Sequence, residues 1–137
     1  MTIRLNPYLG FADNAREAIT FYHTVFGGKL DISPFGDMAH DPSERDKVMH
    51  AQLETPDGLI LMASDTPAGM ARKPGDNITV SLTGDDEAQI RRYWDQLAQG
   101  GQVTVPLAKA PWGDTFGMLV DKFGIPWMID IYAGQNG

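Results

Sequence analysis

The residues of this sequence best suited to chemistry stand at alternate positions of strand-like segments. His50 and Gln52 interleave with Met49, Ala51 and Leu53, and Asn77, Thr79 and Ser81 interleave with Ile78, Val80 and Leu82. Near the end, Met128 and Asp130 interleave with Trp127, Ile129 and Ile131. Successive side chains of a strand point to opposite faces, so each segment separates an apolar set from a second set. If the apolar sets pack inward, His50, Gln52, Asn77, Thr79, Ser81 and Asp130 occupy the opposite faces, beside Met128. A carboxyl partly withdrawn from water is costly unless it is paired or protonated, so Asp130 is expected to receive a ligand donor or to act as a base. His50 is suited to share a proton with it or to orient a substrate oxygen. Read from the residues alone, the same pattern also describes antiparallel sheets with one face in water.

A second cluster is Trp112-Gly113-Asp114, just before a strand. The indole offers a flat apolar wall, and Asp114 either lines the rim of a site or caps the turn. The chain has no cysteine, which excludes disulfides, thiolate catalysis and Cys-based zinc sites. His23 falls one position past Tyr22, off the apolar stripe of its helix, and reads as a solvated side chain. His40 lies in a polar loop with Asp37, Asp41 and Asp46, which reads as solvated chain or as a weak metal trap.

Bulk properties narrow the classes. With 137 residues, 42% apolar and 21% charged, the chain suits one compact domain or two small halves sharing a core. Its net charge is −7, and its basic pairs, Arg91-Arg92 and Arg72-Lys73, are too few to replace counterions along a phosphate backbone. Neither nucleic acid nor an anionic membrane is an expected partner. No segment approaches the roughly 20 apolar residues that cross a bilayer, and residues 1–9 lack the apolar core of a secretory signal. A cytoplasmic protein is expected.

These side chains are positioned by a pattern that runs through the chain twice. In the first half a strand at 3–11 leads to a helix, capped by Asp13 or Asn14, whose apolar face is Ala15, Ala18, Ile19, Tyr22 and Phe26. Gly27-Gly28 ends that helix, and strands at 29–33, 48–54 and 59–64 follow, with a loop at 34–47 long enough to serve as a lid. In the second half a strand at 77–83 leads to a helix capped by Asp85 or Asp86, with Ile90, Tyr93 and Leu97 inward and Gly100-Gly101 at its end. Strands at 102–105, 115–120 and 125–132 complete it, the loop 106–114 lying between the first two. Thr55-Pro56-Asp57-Gly58 and Asp121-Lys122-Phe123-Gly124 supply the matching turns. Equal helix spacing, paired glycines, equivalent turns and one element order together mark a tandem βαβββ repeat, with modules at 1–66 and 76–137 and a connector at 67–75.

At these residues the chain resembles the vicinal oxygen chelate superfamily, which includes glyoxalase I, extradiol dioxygenases and the fosfomycin- and bleomycin-resistance proteins, and within it the PhnB-like branch. The resemblance is carried by Asn6-Pro7-Tyr8-Leu9, Asn14-Ala15-Arg16-Glu17-Ala18-Ile19, Phe21-Tyr22, Phe26-Gly27-Gly28 and Met49-His50-Ala51. It continues in Leu61-Met62, Ser64-Asp65, Trp112-Gly113-Asp114, Asp121-Lys122-Phe123-Gly124-Ile125 and Trp127, nearly the whole chain. It implies an α+β fold in which the tandem modules form a U-shaped mixed sheet around a cavity, helices on the convex face, in a homodimer. Some members of the branch carry a demethylubiquinone methyltransferase label, but the chain has no glycine-rich strand-to-helix loop to hold S-adenosylmethionine.

Metal-using relatives hold a divalent ion with His and Glu on the first and fourth strands of one module and the first and last of the other. Matching those strands puts Pro7, Leu61, Asn77 and Met128 at the ligand positions. Proline has no free donor, and Leu and Met offer no hard one. No metal and no other cofactor is therefore expected, and Leu61 and Met128 become apolar floor beneath the polar set. The resulting expectation is metal-free binding of a small, neutral or cationic, partly apolar molecule. The alternative is an enzyme: a lyase or isomerase using Asp130 and His50, or a glyoxalase- or dioxygenase-type enzyme with atypical metal ligands.

Overall fold

The structure, a computed structural model, describes residues 3–39, 41–67, 70 and 73–133. The chain divides into two compact units, Met1–Pro74 and Gly75–Gly137. In the first, β1 (Tyr8–Phe11) leads to α1 (Ala15–Phe26), followed by β2 (Lys29–Pro34), β3 (Val48–Glu54) and β4 (Ile60–Asp65). In the second, β5 (Val80–Gly84) leads to α2 (Glu87–Leu97), then β6 (Gln102–Lys109), β7 (Thr115–Val120) and β8 (Pro126–Ile131). Each module has its own four-stranded sheet, ordered β1-β4-β3-β2 and β5-β8-β7-β6. The first pair of each sheet is parallel and the rest are antiparallel. This is the α+β tandem architecture that the repeat predicts.

One face of each sheet is closed by its helix. In α1 the buried side chains are Ala15, Ala18, Ile19, Tyr22, Val25 and Phe26, and in the strands Val48, Ala51, Leu53, Leu61 and Ala63. The second module buries Ile90, Tyr93, Trp94 and Leu97 of α2 with Leu119, Trp127, Ile129 and Ile131. The paired glycines have an atomic reason that is the same in both modules. Gly27 caps α1 and Gly100 lies three residues past the end of α2, and both take a positive φ, 73° and 75°, that side chains other than hydrogen resist. The glycine after each lies on the following hairpin: a Cβ on Gly28 would stand 2.1 Å from the Glu54 carbonyl oxygen, and one on Gly101 2.3 Å from that of Val120.

The hairpin turns also correspond. Thr55 and Asp121 are both buried, and each donates its backbone N–H to the carbonyl oxygen of the residue four ahead while its own carbonyl oxygen accepts from the amide three ahead. Thr55 Oγ1 accepts from Leu59 N (3.0 Å). Asp121 accepts from Phe123 N (2.8 Å), Ile125 N (3.1 Å) and the Trp127 indole (2.9 Å). The helix caps differ. Asp86 caps α2 through Gln89 N (3.2 Å), but Asn14 makes no side-chain cap on α1. That role falls to Asp65 at the end of β4, which is buried and accepts from Ala15 N (2.9 Å) and Val48 N (2.8 Å).

Several boundaries depart from the expected ones, and strand pairing explains them. β1 begins at Tyr8, opposite Met62, which leaves Ile3 and Leu5 almost fully exposed. β5 begins at Val80, opposite Trp127, because the chain just ahead of β8 is the turn closed on Asp121. β6 runs four residues further than the hydropathy pattern suggests, through Pro106 to Lys109, with register shifts between Val103 and Val105 and between Val105 and Ala108. A proline is tolerated there because β6 is an edge strand. The 34–47 loop contains two short 3-10 turns, Gly36–Met38 and Pro42–Glu44. His40 and Arg72 lie outside the described residues, and with them the reading of the His40 loop as a metal trap. His23 is not simply solvated: its Nε2 lies 2.9 Å from the carbonyl oxygen of Gly28, just past the end of α1.

Candidate functional site

The sheet face opposite each helix carries the residues with chemical potential. In the second module β8 alternates buried Trp127, Ile129 and Ile131 with half-buried Met128 and Asp130. Asp130 is flanked in register by Thr83 of β5 and Phe116 of β7, and Met128 by Ser81 and Met118. Thr83 Oγ1 accepts from the Tyr132 hydroxyl (3.3 Å). Trp112 stands edge-on to Phe116, ring centroids 5.6 Å apart. Asp114 is held by a bond from Ala133 N to its Oδ1 (2.9 Å), which satisfies one oxygen and leaves its carboxyl within hydrogen-bonding reach of Asp130.

Oδ1 of Asp130 is shielded from solvent and has no hydrogen-bond partner. Withdrawal from water pushes the Asp130 carboxyl above the ordinary carboxylate range, and the hydrogen bond and negative charge of Asp114 push it further. The orphaned oxygen and the hydrogen bond are two descriptions of one pair. With both groups ionised neither has a proton to offer, and with one proton between them the bond forms. Asp130 beside Asp114 can therefore hold a proton or, when ionised, accept a donor from outside.

This arrangement has a stability consequence. The raised Asp130 carboxyl binds its proton more tightly folded than unfolded, so stability falls as pH rises from the ordinary carboxylate value through the raised one. Below that window both states are protonated and the difference vanishes. Asp130→Asn removes the penalty, so the variant is expected to melt above the wild type at neutral pH and to converge with it at about pH 3. Thermal denaturation at the two pH values checks this; a variant less stable at neutral pH contradicts it.

In the first module β3 directs Ala51 and Leu53 to the helix and His50 and Gln52 to the open face. Tyr8 lies there too, its hydroxyl 3.2 Å from His50 Nδ1. Gln52 and Tyr8 both pair in register with Met62. Leu61 is a correction: it is buried opposite Leu53, and Met62 takes the open face. Two adjacent apolar residues give hydropathy nothing with which to choose between the two registers. Asn77 and Thr79 are a second correction, because they precede β5 and belong to no ladder, with Asn77 exposed. Ser81 is in β5, in register with Met128 as expected of the open face. Trp112 is exposed and Asp114 half-buried beside Asp130. His50 belongs to the first module and Asp130 to the second.

Tyr8, Thr83 and Phe116 were not singled out by the residue pattern. The alternation of Tyr8 with buried Leu9 and Phe11 was a usable signal. Phe116 was masked because its neighbour Gly117 takes the buried position: a Cβ there would stand 2.8 Å from the Trp94 ring, so the small residue is the inward one.

The model of the 3-demethylubiquinone-9 3-methyltransferase family matches residues 4–130. The chain belongs to that family. This member of the family is 32% identical to protein YjdN of Escherichia coli K12, over 96% of this chain and 97% of that one. It shares 36% identity and a TM-score of 0.86 with protein PA1353 of Pseudomonas aeruginosa, covering 97% and 100% of the two chains. With the PhnB protein of Bacillus cereus the values are 26% and 0.77, covering 95% and 100%. The PhnB-like branch is thereby supported. At 15% identity, a glyoxylase/bleomycin resistance protein/dioxygenase domain from Frankia shares the fold (TM-score 0.69, covering 100% and 96%).

A divalent ion of the kind used in this fold needs several hard donors, and the family description implies S-adenosylmethionine; neither fits the residues present. Where β1 meets β4 and β5 meets β8 on the open faces, the pairs are Tyr8 with Met62 and Ser81 with Met128. Thioethers, a phenol and a hydroxyl are poor ligands for hard cations. Among the described residues no three His, Asp or Glu lie close enough to hold a metal ion. The strand-to-helix connection after β1 is Ala12-Asp13-Asn14 and that after β5 is Asp85-Asp86, neither with a glycine to let a cofactor approach the backbone. Among the same residues no helix is long and apolar enough to cross a membrane.

Proposed function

We propose that this PhnB-like protein binds a small organic molecule, without a metal, against the open face of its second sheet. The carrying observation is the shielded, unpartnered Oδ1 of Asp130 beside Asp114. A buried acceptor without a donor lowers stability, and an arriving N–H, O–H or ammonium group relieves that cost. Phe116, in register with Asp130, and Trp112, edge-on to it, provide an apolar corner next to the two carboxyls, suited to the remainder of a partly apolar ligand. The family resemblance supports a cytoplasmic homodimer as the working form, which light scattering of the purified protein tests directly. Methyl transfer is not part of this reading.

The test is a thermal-shift screen of metabolites bearing amine, amide or hydroxyl groups beside an apolar body. A true ligand at about a hundred times its Kd adds about 2.7 kcal/mol of stability and raises the melting temperature by several degrees. The gain should disappear in Asp130→Asn, which is itself expected to melt above the wild type at neutral pH. A broad screen without a stabilising compound defeats the proposal, as does a compound that stabilises both forms equally.

The shared proton also favours a second reading, a lyase or isomerase in which Asp130 moves a proton of the bound molecule. Turnover of the screened ligand by wild type, abolished in Asp130→Asn while binding persists, selects that reading. Binding with no turnover selects the first.

A further inference from the structure

The first module has its own polar constellation, built from residues on non-neighbouring strands. Tyr8 is on β1 and His50 on β3, with β4 between them. Strands two places apart are about 9–10 Å from each other, more than either ring spans alone. The two side chains nevertheless meet, with Oη 3.2 Å from Nδ1 and ring centroids 5.7 Å apart. Tyr8 is 53% exposed and His50 half-buried, so neither is driven together by the apolar core.

The contact bears on the outer nitrogen of the imidazole. A phenol is a better donor than acceptor, and a neutral imidazole nitrogen is a strong acceptor, so the favoured arrangement has Tyr8 donating and the ring proton on Nε2. If the imidazole gains a proton, Nδ1–H donates to the phenol oxygen instead, and Nε2–H is unchanged. In both states the pair presents one N–H, and Nε2 has no partner among the described residues. Gln52 lies two residues along on the same face with further donors.

We propose that His50 Nε2–H, held by Tyr8, receives an anionic oxygen of carboxylate or phosphate type, with Tyr8 as a positioning residue. This rests on the small-molecule reading above and extends it to a site in the other module with the opposite hydrogen-bonding preference. His50 offers a donor at Nε2, whereas Asp130 offers an unpartnered acceptor at Oδ1.

Long-range 1H–15N spectra of the histidine rings in the intact chain, at mildly alkaline pH, provide the test. Without added anion the wild-type His50 ring should be the Nε2–H tautomer, and Tyr8→Phe should release a mixture of tautomers. Sodium acetate and sodium phosphate are then titrated separately, ionic strength being held with chloride. The His50 resonances should move saturably with acetate, phosphate or both; the responding anion names the oxygen type. In Tyr8→Phe the apparent dissociation constant should rise roughly fivefold, the effect of one hydrogen bond of about 1 kcal/mol. Movement no greater than with chloride, or equal affinity in the two proteins, overturns the proposal. Either outcome leaves the small-molecule reading at Asp130 intact, because the thermal-shift screen and Asp130→Asn decide that reading separately. If the screen yields nothing, the tautomer and anion titrations still decide here.

Discussion

Replacing Asp65 by alanine is expected to cost about 2–5 kcal/mol and to loosen the first module before the second. The Asp65 carboxylate accepts from Ala15 N at the start of α1 and from Val48 N at the start of β3, and it is buried. Alanine leaves both amides without an acceptor in a place water does not reach, and each such orphan costs about 1–3 kcal/mol. No local substitute exists, because Asn14 makes no side-chain cap. Urea denaturation gives the overall loss, and amide hydrogen exchange locates it: α1 and β3 should lose protection while α2 and β8 keep theirs. Asp65→Asn retains one acceptor oxygen and should lose roughly half as much. A wild-type melting curve for Asp65→Ala would mean that the two bonds contribute nothing.

The second large effect is expected at the paired glycines. Gly101→Ala places a methyl 2.3 Å from the Val120 carbonyl oxygen and 2.9 Å from the Asp121 Cα, all backbone that is tied into the β7–β8 hairpin. The strand or the turn must move, at about 2–4 kcal/mol. Gly28→Ala meets the Glu54 carbonyl oxygen at 2.1 Å and adds the strain of a φ of 97°. Its loss should therefore be the greater of the two. Gly27 is the internal control: an added Cβ finds nothing within 4 Å, so Gly27→Ala should cost only the strain of its φ of 73° and ψ of −167°, about 1–3 kcal/mol. The order Gly28, Gly101, Gly27 in denaturation midpoints separates close approach from backbone conformation. Equal losses at all three would refute the packing explanation.

The inferred sites lie on the side of each sheet that stability does not require. Burial by the helices accounts for Leu53, Ala63, Trp127 and Ile129, whereas Asp130 is expected to be a net cost at neutral pH. A destabilising carboxyl beside a second one is what the proposed binding or proton-transfer role would require. Asp121 is the contrast, a buried aspartate with three donors and a plain structural task.

The amino-acid sequence alone determined the repeat, the helix faces, the hairpin turns, the parity of β8 and that of β3 from His50 onward, the start of β3 excepted because a register shift there buries Val48 in place of Met49. All of these depend on spacing along the chain: three and four for Ile19, Tyr22 and Phe26, two for Met128 and Asp130. Tertiary structure decided what depends on a partner distant in sequence. The start of β5 was set by where β8 begins, which removed Asn77 and Thr79 from the sheet face. The choice between Leu61 and Met62 was made by the ladder with β3, since the two residues are alike in polarity. Gly117 faced inward because Trp94 fills the space, which turned Phe116 toward Asp130. The encounters of Asp114 with Asp130 and of Tyr8 with His50 likewise arise from segments that only folding brings side by side. Local patterns fix the face a side chain takes within its own strand, but register between strands fixes its neighbours, and those neighbours decide its chemistry.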